Sequence, residues 1–231
     1  MQVAILTGGL ATRLGDLAKD RPKSMVKVRG RPFLEFQLEF LKRAGVEDVV
    51  LCTGYLGRQI ESYFGDGRGH GVNMVYSLED RPLGTAGALK NAAKLLEDPF
   101  FTMYGDSYVK LDFRDVLNRF KSRTRLALMT VYRNRDRYDR SNTGVEGDLV
   151  TRYSKAEKAD DLVYIDYGVN LFRKRVLDMI PPFGSQALEG LFPQLIARRE
   201  LLAYRVEERF YEIGSPQGLR EFEELAGGGV R

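Results

Sequence analysis

Short apolar runs alternate with helical periods along the first half of the chain, and this alternation restricts its fold more than any other feature. Val3–Thr7, Val49–Thr53, Met74–Leu78 and Phe100–Tyr104 are apolar stretches of strand length, too short for buried helices. Between them, Pro32 can occupy the first turn of a helix whose apolar stripe is Phe33, Phe36, Leu38, Phe40 and Leu41. Gly45 follows the basic last turn of that helix as a stop signal. Ile60–Phe64 reads as a short helical turn and Thr85–Leu96 as a further helix. Strands joined through helices run parallel and carry helices on both faces, so the expected class is α/β with a mostly parallel sheet.

The second half is less regular. Leu126–Tyr132 and Tyr164–Phe172 are expected strands, Gly144–Thr151 a turn between short strands, and the glycine-rich tail from Gly227 a frayed end. With 231 residues, 43% of them hydrophobic, and no repeat or linker, one domain over 1–226 is expected, with 227–231 as tail. One cysteine, Cys52, and one histidine, His70, exclude an internal disulfide, a Cys/His metal cluster and a repeated histidine relay. Cys52 sits in an apolar strand and reads as an inert buried thiol, and His70 as an exposed turn residue. The N-terminal apolar run is too short for a signal peptide and no run reaches membrane-spanning length, so a cytoplasmic protein with no membrane insertion is expected.

The formal net charge of +4 is far from that of a nucleic-acid arm. It is unevenly spread: residues 1–31 hold seven Lys/Arg against two Asp, and residues 110–140 hold ten against four. The basic stretch Arg119–Arg140 includes Tyr132 and Tyr138, but its charges are spaced as on solvated faces, so no nucleic-acid partner is expected. Ligands of parallel sheets bind beyond the carboxyl ends of the strands. Three candidate loops fall there, after Thr7, Leu78 and Tyr104. The first contains Gly8-Gly9, then Arg13 and Lys23, a glycine turn with two cations that could cradle a triphosphate. A glycine turn with merely solvated charges is the plain alternative. Neither G-x-x-x-x-G-K-[ST] nor G-x-G-x-x-G follows the first strand. Gly84-Thr85-Ala86-Gly87 opens a helix, and its amides and small side chains suit a nucleobase, or Thr85 simply caps the helix.

Gly8-Gly9-x-x-Thr12-Arg13-Leu14, Pro22-Lys23-x-Met25, Pro82-Leu83-Gly84-Thr85-Ala86-Gly87-Ala88, Tyr104-Gly105-Asp106 and Tyr211-Glu212-Ile213-Gly214 together resemble the sugar-1-phosphate nucleotidyltransferases over essentially the whole chain. The short length and the PLGTAGAL segment look most like the heptose-1-phosphate guanylyltransferase branch. The resemblance implies a Rossmann-like mixed sheet of the nucleotide-diphospho-sugar transferase type, with residues 1–110 binding nucleotide and 111–226 binding sugar phosphate. It implies that an NTP and a sugar 1-phosphate give an NDP-sugar and pyrophosphate, with Mg²⁺ as cofactor, in the service of cell-surface polysaccharide synthesis. GTP with a heptose or mannose-type 1-phosphate is the first expectation; UTP, CTP or dTTP with another acceptor is the alternative. A glycosyltransferase and a non-catalytic sensor are remoter ones, and a homo-oligomer is compatible with all.

By the same resemblance Arg13, Lys23 and Asp106 are catalytic. Leu6, Gly8, Gly9 and Thr12, with Gly84, Thr85, Ala86 and Gly87, join the two cations around the nucleotide. Asp106 and Glu212 hold the metal, Glu212 standing where the family usually has Asp. Asn142, Ser154, Lys155, Asp166 and Gly168 form the sugar-phosphate side. Ser154 replaces the usual Glu and Asp166 the usual Asn, so the departures gather in the sugar pocket. The attacking group is a phosphate oxygen, already anionic at neutral pH, so a chain with one histidine needs no general base and works by positioning and charge neutralisation.

Overall fold

Alternation within each strand divides the interior into two cores. In the computed structural model, which describes residues 1–9, 14 and 19–228, Val3 and Ile5 of the first strand enter one apolar cluster and Ala4 the other. Val49 and Leu51 likewise part from Val50 and Cys52, as the two-residue period of a sheet covered on both faces requires. The first half of the chain supplies β1 (Gln2–Leu6), β2 (Lys27–Val28), β3 (Arg31–Pro32), β4 (Asp48–Thr53), β5 (Asn73–Leu78), β6 (Phe100–Tyr104) and β7 (Ser107–Tyr108). The second supplies β8 (Ala127–Tyr132), β9 (Thr143–Glu146), β10 (Leu149–Tyr153), β11 (Ile165–Phe172), β12 (Leu201–Val206) and β13 (Tyr211–Glu212). The helices are α1 (Phe33–Arg43), α2 (Gly57–Phe64), α3 (Gly84–Asn91), α4 (Phe113–Lys121), α5 (Leu188–Ala197) and α6 (Pro216–Gly227).

Among the described residues, nine strands form one sheet in the order β5-β4-β1-β6-β11-β8-β12-β10-β9. The β5-β4-β1-β6 half is parallel, and β12 lies parallel to β8. β11 runs antiparallel to both β6 and β8, and the β9-β10 hairpin is antiparallel at the far edge. The expected α/β class and mixed sheet are therefore present, with the parallel character concentrated in the first half.

Several boundaries differ from the sequence expectation. α3 stops at Asn91 because the chain tightens after it, Ala93 donating to Lys90 O and Leu95 to Ala92 O. α2 starts three residues before Ile60. β12 and α5, which carry no clear period in the sequence, complete the second half. The tail does not fray at Gly227: α6 includes that residue, and the Gly228 amide still donates to Glu224 O at 3.1 Å.

A third apolar cluster holds the C-terminal helix against the loop that follows β1. Phe222 of α6 meets Phe33 edge-on at 4.9 Å, Phe36 at 5.5 Å and Tyr108 at 5.0 Å. Leu14 and Val26 of the loop and Val28 of β2, with Ile213, fill the same cluster. This packing fixes β13 beside β7.

Gln37, fully buried on the apolar side of α1, donates its amide to Tyr104 O at 2.9 Å and to Ser107 O at 2.7 Å. It thus braces both ends of the turn that carries Asp106. Replacing it with Leu leaves two carbonyls without that donor. Gln37→Leu is expected to lower stability by about 2 kcal/mol in chemical denaturation.

Candidate active site

The carboxyl ends of β1, β4 and β5 open into a cleft of about 610 Å³ lined by Leu6, Gly8, Gly9, Gly54 and Glu79, with Gly84 and Thr85 on the α3 side. Glycine is needed at two of these positions. A Cβ would stand 2.8 Å from Glu79 Oε1 at Gly8, and 2.5 Å from it at Gly54. The bare backbone therefore lets the Glu79 carboxyl lie across the ends of β1 and β4. The Glu79 amide donates to Thr53 O at 2.9 Å, and its Oε2 accepts from the Leu83 amide at 3.2 Å. Burial raises the pKa of this carboxyl above its ordinary value, partly offset by the Leu83 amide. Sequence reasoning missed Glu79, because its approach to Gly8 and Gly54 is a tertiary contact that no local pattern marks.

Only part of the Gly84–Gly87 segment faces this cleft. Ala86 and Gly87, expected to help read a base, are buried, and their amides donate to Gln186 O at 2.9 and 3.1 Å. The Thr85 hydroxyl accepts from the Leu188 amide at 2.8 Å, and so serves the start of α5 rather than capping its own helix. Thr12 and Arg13, expected to grip the nucleotide, lie outside the described residues.

Lys23, in a one-turn 3₁₀ helix, places its Nζ 2.5 Å from Asp106 Oδ2, with side chains 17% and 25% exposed. Asp106 owes its position to Gly105, whose amide donates to Leu6 O at 3.0 Å. A Cβ at Gly105 would come within 2.7 Å of Thr7 Cγ2, so a side chain there would push the ends of β1 and β6 apart. Glu212 arrives from the other end of the chain. It pairs with Ser107 in the β7-β13 ladder, and the Ile213 amide donates to Asp106 O at 2.9 Å. Asp106 and Glu212 both line a second cavity, of about 220 Å³. No group of three or more His, Cys, Asp or Glu placed to hold a metal ion exists among the described residues. Two carboxylates are nevertheless an adequate protein share for Mg²⁺, which takes its other oxygens from phosphates and water. The donor set fits that ion.

The second cavity also brings together Asn142, Lys155, Asp166 and Gly168. Asn142 Oδ1 accepts from the Asp166 amide at 3.0 Å and from the Thr143 hydroxyl at 2.8 Å. Gly168 has φ +89° and donates its amide to Asp166 Oδ1 at 3.0 Å, a turn that a larger residue would strain. Burial pushes the Asp166 carboxyl up to about 6, against the Gly168 amide and the Lys155 charge. Ser154 does not line the cavity. Its hydroxyl accepts from the Glu157 amide at 3.0 Å and closes a local turn, which is the work a short side chain can do there. Lys155 Nζ lies 2.5 Å from Glu189 Oε1, a cavity residue that sequence reasoning did not find because α5 itself was not seen.

The other singled-out residues serve packing, and Cys52 also lines the cleft at the ends of β1, β4 and β5. His70 packs its ring 4.9 Å from that of Phe64. Burial pushes the Cys52 thiol up to about 12, so it stays protonated. Tyr138 lies beneath Arg209 at 3.9 Å and beside Tyr132 at 6.1 Å, so the aromatics of the basic stretch are engaged internally.

The shifted Asp166 has a consequence for stability. Between the ordinary aspartate value and about 6, the unfolded chain has released a proton that the folded chain keeps. Stability contributed by this group is therefore lost as pH rises through that window. Asp166→Asn is expected to stabilise the fold by roughly 1–3 kcal/mol at pH 8 and by much less at pH 4, measured by denaturation at both values.

Comparisons with known proteins identify the family of the chain. The family described as Nucleotidyl transferase matches residues 2–226. The chain is 31% identical to the D-glycero-alpha-D-manno-heptose 1-phosphate guanylyltransferase of Campylobacter jejuni, covering 96% of this chain and 98% of that one. It is also 31% identical to the mannose-1-phosphate guanylyltransferase of Mycobacterium tuberculosis, over 94% of this chain and 62% of that longer protein. Among solved structures, HddC from Yersinia pseudotuberculosis superposes with a TM-score of 0.80 at 25% identity, covering 97% of this chain and 99% of that one. Because the family match begins in β1 and reaches into α6, taking in Lys23, Asp106 and Glu212, the chain belongs to the nucleotidyl transferase family.

Proposed function

We propose that this protein transfers the guanylyl group of GTP to a sugar 1-phosphate of the mannose or heptose type and releases pyrophosphate. The observation that carries this reading is the pair of cavities on adjoining strand ends, one a nucleotide-sized cleft and the other lined by Asp106 and Glu212. The Tyr104 end of β6 pairs with Leu6 of β1, so substrates in the two cavities meet across one strand spacing. The guanylyltransferase relatives in C. jejuni and M. tuberculosis support the choice of substrates.

Glu79 supports guanine over a pyrimidine. Guanine offers two neighbouring N–H donors on its pairing edge, which one carboxylate can accept together, whereas uracil and thymine set carbonyl oxygens on both sides of their single N–H. A carboxylate would repel those oxygens.

In the reaction an oxygen of the sugar phosphate attacks the α-phosphorus of GTP. A new P–O bond forms as the bond to the bridging oxygen of the β-phosphate breaks, and pyrophosphate leaves with that electron pair. No proton needs to be removed from the attacking group. Lys23 would neutralise charge near the α-phosphate, and Lys155 would receive the acceptor phosphate. Arg13 is assigned to the β- and γ-phosphates by family resemblance. Asp106 and Glu212 would hold Mg²⁺, which when bound supplies positive charge to phosphate oxygens. An NTP co-substrate accords with a cytoplasmic setting.

The test is pyrophosphate release with Mg²⁺ across GTP, UTP, CTP, dTTP and ATP, each with mannose, glucose and heptose 1-phosphates. GTP with mannose or heptose 1-phosphate is expected to give the highest kcat/KM. Glu79→Gln is expected to lower kcat/KM for GTP roughly 10- to 100-fold while sparing the pyrimidine nucleotides. Absence of pyrophosphate with every pair, from a folded protein, refutes the proposal.

A further inference from the structure

The acceptor cavity contains an ion pair that the transfer reaction itself does not require. Lys155 follows β10 on an irregular segment, and its side chain is 57% exposed. A lysine so placed has many rotamers and would meet a phosphate in only a few of them. Its ammonium is instead held 2.5 Å from Glu189 Oε1, on the first turn of α5. Glu189 is the more enclosed partner, at 33% exposure.

A carboxylate is a costly neighbour for an anionic substrate. Asp106, Asp139, Asp166 and Glu212 already line this cavity, so Glu189 adds a fifth acidic side chain to a space expected to receive a phosphate. What it gives in return is geometry. We propose that Glu189 is a positioning residue for the acceptor phosphate: it fixes the Lys155 ammonium at the cavity wall, leaving its other N–H groups for the substrate. This rests on reading the cavity as the sugar-phosphate site.

Glu189 is itself held rigidly. The Leu188 amide donates to Thr85 Oγ1 at 2.8 Å, tying the start of α5 to the start of α3. One residue before Ala187, the Gln186 amide donates to Leu83 O at 2.7 Å, while its carbonyl accepts from Ala86 and Gly87. The segment 185–189 thus has Ser185 on the nucleotide cleft and Glu189 on the acceptor cavity. The residue that sets Lys155 is referenced to the wall of the nucleotide site, so the acceptor cation is registered against the other substrate. Burial works against ionisation of Glu189, but the Lys155 hydrogen bond, a backbone amide and the Lys155 charge outweigh it and hold the carboxyl below the ordinary glutamate range.

The sign of the effect on substrate binding separates the two roles Glu189 could have. If it is only a charge near the phosphate, removing that charge tightens substrate binding. If it positions Lys155, removing it weakens binding. Steady-state pyrophosphate release is measured with GTP and mannose 1-phosphate for wild type, Glu189→Gln, Glu189→Asp, Lys155→Met and the Glu189→Gln/Lys155→Met double variant. Glu189→Gln is expected to raise KM for the sugar phosphate about tenfold, with kcat and KM for GTP within twofold. Glu189→Asp should fall between wild type and Glu189→Gln. In the Lys155→Met background the Glu189 change should add less than twofold.

A sugar-phosphate KM that falls or stays constant overturns the proposal. So does an equal rise in KM for GTP, which would mark a structural role through α3, or full additivity with Lys155→Met. Failure of wild type itself to turn over any sugar 1-phosphate would instead overturn the functional reading beneath it.

Discussion

The contact between Lys23 and Asp106 is the interaction on which the site depends. It joins the loop after β1 to the end of β6, and in the free protein it lets two partly enclosed charges neutralise each other. In the proposed reaction each takes a substrate role, the lysine toward phosphate and the aspartate toward a cation. The pair can exist before substrates arrive because each charge already has a counter-charge, and it can be re-partnered when polyanions and metal enter. Its position is maintained from behind: Gln37 binds both ends of the Asp106 turn, and Phe222 packs the C-terminal helix against the loop side.

Topology explains why the two cavities adjoin. The parallel half of the sheet gathers the ends of β1, β4 and β5 at one edge, where loops bind nucleotides in α/β folds. β11 then lies antiparallel to β6, with Val169 opposite Met103, which sets Gly168 and Asp166 beside Tyr104 and Asp106. The short β7-β13 ladder brings Glu212 to the same place from the far end of the chain. Residues separated by more than 100 positions thus meet at one strand end without a long loop.

The parallel half was legible in the sequence because its strands are apolar runs with sharp glycine boundaries. Asp106 and Lys23 were marked out by motifs of distinctive spacing, whereas Lys155 and Asp166 were reached only through a resemblance from which their segments depart. Glu79 and Glu189 were not, for two different reasons. Glu79 acts through a close approach permitted by Gly8 and Gly54, a contact between three loops that no local pattern records. Glu189 acts from a helix whose apolar residues are too dense to show a clear stripe. Ala86 and Gly87 sit within a recognisable motif, yet tertiary structure gives their amides to Gln186 rather than to a ligand. Gln37 shows the same limit from the other side: one polar residue among phenylalanines looks like a lapse in the helix pattern until its two carbonyl partners are in view.

In the proposed function the Lys23 charge serves the transferred phosphate and is not merely a surface counter-ion of Asp106. Substituting Lys23→Met and comparing the single-turnover rate of pyrophosphate formation from GTP, at saturating Mg²⁺ and mannose 1-phosphate, tests it directly. A rate lower by on the order of 10²–10³, with thermal unfolding little changed, is the predicted result. A rate within about threefold of wild type would contradict the account.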